Sequence, residues 1–177
     1  MNRTGLEPCP GCQALLAPFD GPTHRYIGAS PACWAIFSAL GVGAPSVAPS
    51  PLRELLVDAY AAQHPGLPSN QAIQSVAVHL IALYGVLVRD HAPADAIALR
   101  TRPLREQTGP KRGRFYWLTP PDLSRTVTVA TIAAATTPAA RAALVDDCVH
   151  SVWAAWAPQY EATIAAWYER YVVPTRL

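Results

Sequence analysis

"SNQAIQSVAVHLIALYGVLVRD", residues 69–90, decides the fold. Ile73, Val76, Ala77, Leu80, Ile81, Tyr84 and Leu87 recur at steps of three and four, the spacing of a helix. They cover so much of the circumference that the helix must be buried on most sides, and a helix of that kind sits at the centre of a helical domain. The polar residues repeat the point from the other side. Gln71, Gln74, Ser75 and His79 share one stripe, but that stripe runs on through Val78, Ala82 and Val86. A solvated face would stay polar to its end, so His79 is expected inside the fold, where its ring nitrogens need partners.

Working outward, "SPLRELLVDAYAAQHPG" predicts a second helix with Ser50 as its cap and Pro51 in its first turn. Leu52, Leu55, Leu56, Ala59 and Gln63 lie on one face, and His64, Pro65 and Gly66 end the helix. The short connection "HPGLPSNQ" folds it back on the central helix. Such a hairpin brings Gln63 and His64 near Gln71, Gln74 and Ser75, and sets Asp58 at the height of His79. An Asp–His pair is either a buried hydrogen bond that fixes how two helices pack or the orienting half of a catalytic pair.

"SPACWAIFSAL" predicts a first helix, capped by Ser30, started by Pro31 and closed by "GVG" at 41–43. Downstream, residues 91–102 predict a short fourth helix and "RPLREQTGPKRGR" a basic, breaker-rich loop. "FYWL" at 115–118 suits a short strand or an extended plug over the core. "TVTVATIAAATTP" is read as a short helix capped by Thr128 despite its β-branched residues. Residues 138–172 are helical, with Pro158 either kinking one long helix or starting another. The aromatic stripe there (Trp153, Trp156, Tyr160, Trp167, Tyr171) suits core packing first and a homodimer face second. Cys148, among valines, reads as a buried free thiol. The expected fold is mainly α: a single domain over 1–177, with a helical body of about six or seven helices from residue 30 and a coil-rich flap over 1–29. A hairpin is expected around "PFDGPTHRYI".

Composition sets the bounds. The chain has 177 residues, 51% of them apolar and 15% charged, with a formal charge of +2. That length supports a core without a disulfide or metal, so a metal would be a local brace or a tool. No export signal or membrane span is apparent, the apolar run at 76–88 being short and interrupted by His79. The expected location is the cytoplasm, where thiols stay reduced and cysteines more often bind metal. The basic residues form no clustered face, which weighs against nucleic acid as a partner.

Two cysteines, Cys9 and Cys12, sit two residues apart in "CPGC". The spacing suits a metal knuckle; a redox pair would need a βαβ setting that is missing, and a plain turn is the remaining alternative. Cys33, in the first turn of the first helix, is the third candidate ligand. Knuckle, hairpin and then a ligand at a helix start resembles the order of treble-clef-like zinc sites, without their second C-x2-C pair. The fourth ligand is His64, held at a helix end by Pro65 and Gly66, or His24 on the flap. The expected ion is Zn²⁺.

"CPGC", "DGPTHRYIGASPACW", "VDAYAAQHPG", "QSVAVHLIAL" and "SVWAAWAPQY" together resemble an uncharacterised family of small bacterial proteins, a domain of unknown function. The resemblance implies that Cys9, Cys12, His24, Cys33, Asp58, Gln63, His64, Gln74 and His79 stand in that family's blocks, and it supplies no activity.

Two functions are therefore in view. One is a zinc-stabilised helical binding or interaction module with a Cys9, Cys12, Cys33 and histidine site. The other is a metal-dependent, hydrolase-like enzyme in which His24, Asp58, His64 and His79 line a pocket beside Gln63, Gln74 and Ser75. A nucleic-acid-binding knuckle comes third. No nucleophile elbow, phosphate-binding glycine loop or H-E-x-x-H is present.

Overall fold

A computed structural model describes residues 5–42, 51–106 and 115–173. Two short strands, β1 (Glu7–Pro8) and β2 (Leu15–Leu16), pair antiparallel with Glu7 opposite Leu16 and Pro8 opposite Leu15. The helices are α1 (Pro31–Phe37), α2 (Pro51–Gln63), α3 (Asn70–Leu87), α4 (Ala96–Glu106), α5 (Val129–Ala133) and α6 (Pro138–Tyr171). A π-helical turn, Ser38–Val42, extends α1, and a 3-10 turn, Pro93–Asp95, precedes α4. The described residues are thus mainly helical, as the periodicity predicts.

The central helix is α3, which packs against α2, α4 and α6. It is long and apolar enough, by length and composition, to cross a membrane, yet 56% of it is buried within the bundle. Leu80, Ile81, Ala82 and Leu83 are fully enclosed in succession, which no one-sided surface helix would permit. Side-chain caps set where several helices begin. Ser30, Ser69, Thr128 and Thr137 each accept a bond from the amide three residues on, and proline follows directly at 31 and 138. The expected cap Ser50 lies outside the described residues.

Four expectations are sharpened or corrected. The hairpin lies at residues 7–16, around the cysteine knuckle, while "PFDGPTHRYI" forms no strand; Pro18, Pro22 and the glycine between them leave too few ladder donors and too little alternation there. The basic loop begins later than expected, because α4 continues through Pro103 to Glu106; residues 107–114 are outside the description. Residues 115–118 form an extended plug with no strand partner. Phe115 meets Trp167 and Tyr171 edge-on at 5.0 and 5.1 Å, and Leu118 is buried. Finally, α6 is one helix with Pro158 inside it.

The C-terminal aromatics are largely used within the fold. Trp156, Trp167 and Tyr171 are buried, Trp153 and Tyr160 half-buried. The Trp156 indole donates to the Ala62 carbonyl at 3.2 Å, tying α6 to the end of α2. Cys148 is buried among Val145, Val149 and Val152.

Candidate metal centre and the neighbouring charged pocket

The knuckle turn is closed by its own backbone. The Cys9 amide donates to the Ala14 carbonyl and the Gln13 amide to the Cys9 carbonyl, both at 2.9 Å, with Gln13 at φ 61°. This left-handed residue reverses the chain so that both sulfurs point the same way. Cys33 arrives from the first turn of α1, its amide bonded to the Ser30 hydroxyl at 3.2 Å. The Ser30 amide in turn donates to the Cys9 sulfur at 3.4 Å. His64 follows the last residue of α2, and its carbonyl accepts from the Gly28 amide at 3.0 Å.

Cys9, Cys12, Cys33 and His64 are all fully buried, and their ligand atoms lie within 4.8 Å of one another. The Cys12 and Cys33 sulfurs are 3.9 Å apart, and Cys33 Sγ is 3.4 Å from His64 Nε2. Bond lengths of a tetrahedral thiolate–imidazole zinc site give edges of about 3.8 Å between sulfurs and about 3.6 Å from sulfur to nitrogen. The group can hold a metal ion. His64 is oriented for it, since Nδ1 donates to the Tyr60 carbonyl at 2.8 Å and Nε2 is the nitrogen turned toward the sulfurs.

Electrostatics points the same way. Hydrogen bonds from Cys12 and then Cys33 pull the Cys9 thiol far below its ordinary range, whereas bonds with Cys12 and then Cys9, together with burial, push Cys33 far above it. At His64 burial lowers the value, but bonds to the sulfurs of Cys12 and Cys9 outweigh it and raise the imidazole to about 9. Burial, and then the charge of Cys33, push the Tyr60 phenol up. Three buried sulfurs crowded together cannot all ionise unless positive charge stands among them, and a cation at their centre would supply it. Phe37 stacks on Tyr60 at 3.8 Å and the Tyr60 ring lies 4.1 Å from that of His64, so an aromatic wall closes one side.

His24 stands outside this group. Its ring meets Tyr26 edge-on at 4.5 Å and Trp34 at 5.0 Å. Burial, with repulsion from His79 added, lowers its pKa.

The expected Asp58–His79 pair is present, with His79 Nδ1 2.6 Å from Asp58 Oδ1. Sequence reasoning missed the other half of the cluster. Arg100 donates from one terminal nitrogen to both Asp58 oxygens at 3.3 and 3.2 Å, and from the other to Glu54 Oε2 at 2.7 Å. Glu54 was recoverable, being one turn before Asp58 on the same helix face; Arg100 comes from α4, whose placement no local pattern gives. Burial raises the Asp58 carboxyl above its ordinary range, the His79 and Arg100 contacts only partly offsetting it.

His79, Gln71, Gln74, Ser75, Arg100 and Tyr26 line a pocket of about 260 Å³. Gln63 is not part of it. Its amide nitrogen donates to Thr126 Oγ1 at 2.5 Å and to the Val127 carbonyl at 3.0 Å. Gln63 turns to the 126–127 segment while His64, just past the helix end, turns to the cysteines, so the two serve different sites. The metal-dependent enzyme pictured from sequence needs His24, Asp58, His64 and His79 around one ion. The fold instead sends His64 to the cysteines and Asp58 to Arg100, and among the described residues no group including Asp58 or His79 gathers three ligand atoms.

Residues 7–157 match a family of unknown function (DUF5946), and the chain belongs to it. The match spans the blocks from "CPGC" to "QSVAVHLIAL" and most of "SVWAAWAPQY", in agreement with the resemblance seen in the sequence. No curated protein and no solved structure matches the chain.

Proposed function

We propose that the Cys9, Cys12, Cys33 and His64 group holds Zn²⁺ as a closed structural site, and that the protein is a zinc-braced helical binding module. The observation that carries this reading is that the chain supplies all four ligands and buries them completely, which leaves no open position for a water or a substrate. Three thiolates and one imidazole suit zinc by softness, and their mutual distances allow a tetrahedral shell.

The binding face follows from what the brace holds. A surface groove of about 890 Å³ runs between the knuckle (Pro10, Gly11, Gln13), residues 25–28, residues 65–69 and residues 120–124. Two of its walls contain or directly adjoin metal ligands, and a third is bonded to the His64 carbonyl through Gly28. The groove therefore exists only while the flap is pinned. Chelation of the zinc-loaded protein should raise amide hydrogen exchange together at residues 9–14, 26–30 and 64–69, while the interior of α3 stays protected. Exchange that rises nowhere in these segments after the metal has left contradicts the brace.

A further inference from the structure

The β1–β2 hairpin has one edge closed and one edge open. The phase of its ladder is set by the Cys9 amide, which donates to the Ala14 carbonyl at 2.9 Å. Bonded and unbonded pairs alternate between antiparallel strands, so the next pair, Pro8 opposite Leu15, is unbonded and turns its backbone groups outward. On the β1 side the outward residue is a proline, with no N–H to offer. On the β2 side Leu15 presents both N–H and C=O, and Ala17, two residues on, has the same phase. Among the described residues nothing bonds either amide on that side, and both residues are exposed. The knuckle turn, and half-buried Leu16 packed on the core, hold this edge extended.

An open edge of this kind is completed by another extended polypeptide, whose amides and carbonyls match its spacing. The side chains say which one. Leu15 is 62% exposed, and Leu6 and Phe19, which flank the strands, are 63% and 51% exposed. On the other face Leu16 borders a groove of about 510 Å³ that reaches the start of α1, and its two charged lining residues, Glu7 and Asp20, are both acidic. This groove shares no residue with the one between the knuckle and residues 120–124. A second copy of the chain fits poorly. Three side chains of this exposure offer on the order of 300 Å² of apolar surface, well short of the roughly 800 Å² a side that a stable dimer buries. A second copy would also bring carboxylates rather than a cation to the acidic groove. We infer that the β2 edge receives a short extended segment of a partner protein by strand addition, with apolar residues opposite Leu15 and Ala17 and a lysine or arginine between them. Side chains alternate along a strand, so the two apolar residues lie beside Leu15 and the basic one falls on the Leu16 face, that of the acidic groove.

The test uses the full-length, ¹⁵N-labelled protein and the peptide acetyl-Thr-Val-Lys-Val-Thr-amide, followed by NMR. Two control peptides carry glutamate in place of lysine or N-methyl groups on both valines, which remove the pairing donors. Saturable shifts at the Leu15 to Phe19 amides and slowed exchange of the Leu15 and Ala17 amides are expected, with both controls much weaker. Ala17→Pro deletes an outward donor without breaking a ladder bond and should weaken binding roughly tenfold, the worth of one good hydrogen bond. Leu15→Ser, which keeps every backbone group, should weaken it as well. No saturable shift at the hairpin overturns the site, and so do shifts confined to residues 25–28 and 65–69. Equal binding of the N-methylated peptide overturns strand addition, and equal binding of the glutamate peptide overturns the charge reasoning. Concentration-dependent shifts at the same amides without peptide, with a dimer in sedimentation, would make a second copy the occupant and overturn the choice of partner. The edge depends on the hairpin and not on which ion the knuckle holds. Metal content is measured in each sample, so failure here is distinguishable from failure of the structural-zinc reading.

Discussion

Gly11 shows how narrowly the metal group is built. A Cβ placed there would stand 2.4 Å from His64 Cδ2, 2.9 Å from Cγ and 3.0 Å from the Gln63 carbonyl oxygen. The ring is buried and held by the Tyr60 carbonyl, and a carbonyl cannot rotate away, so nothing there can yield cheaply. Gly11→Ala should therefore destabilise the protein by about 1–3 kcal/mol, as overpacking does, and lower its metal content; a urea melt and elemental analysis check both. Arg100 gives a second prediction at this scale. Arg100→Met leaves the buried Asp58 with His79 alone, a loss of about 3–5 kcal/mol at neutral pH. Burial raises the folded-state pKa of Asp58, and loss of the guanidinium raises it further. A carboxyl raised on folding costs stability as pH climbs from its unfolded value through its folded one. The penalty of Arg100→Met should thus be small near pH 4 and grow toward pH 7, and melts across that range that show a constant difference would contradict the pairing.

Among the elements, α6 carries the clearest departure from local preference. Pro158 removes a donor in mid-helix, yet the helix continues from Pro138 to Tyr171. Pro158 and Ala154 both face solvent, so water can satisfy the carbonyl that lost its partner, while Trp156 and Ile164 anchor the helix on either side. Pro158→Ala should raise stability, by about 1–3 kcal/mol from propensity, and a melt shows it. The elements that sequence reveals are those with long periodicity or a chemical start signal. The near-continuous apolar ring of α3, the Ser30–Pro31 start of α1 and the Thr128 cap of α5 are of that kind. The two-residue strands at 7–8 and 15–16 are too short to alternate, and their pairing is set by the knuckle turn. The close approach of Gly28 to Gly66 was equally silent. A Cβ on Gly28 would lie 2.7 Å from Gly66 Cα, and Gly66 has φ +70°, so the flap docks backbone to backbone with no side-chain pattern to betray it.

For the whole molecule, the candidate metal group joins distant parts of the chain. It gathers candidate ligands from the β1–β2 hairpin, from the start of α1 and from the end of α2, so on the proposed reading one ion would order a proline-rich flap against the helical body. Three of those candidates were legible from C-x2-C spacing and a helix start, and the fixed helix end before Pro65 and Gly66 favoured His64 over His24; that the end of α2 meets the knuckle is tertiary information. The central claim is a closed, four-ligand zinc site, and X-ray absorption at the metal edge of purified untagged protein, with elemental analysis, tests it most directly. One zinc per chain with three sulfurs, one nitrogen and no oxygen is the predicted result. A shell containing water-like oxygen, or protein purified without metal, would contradict it.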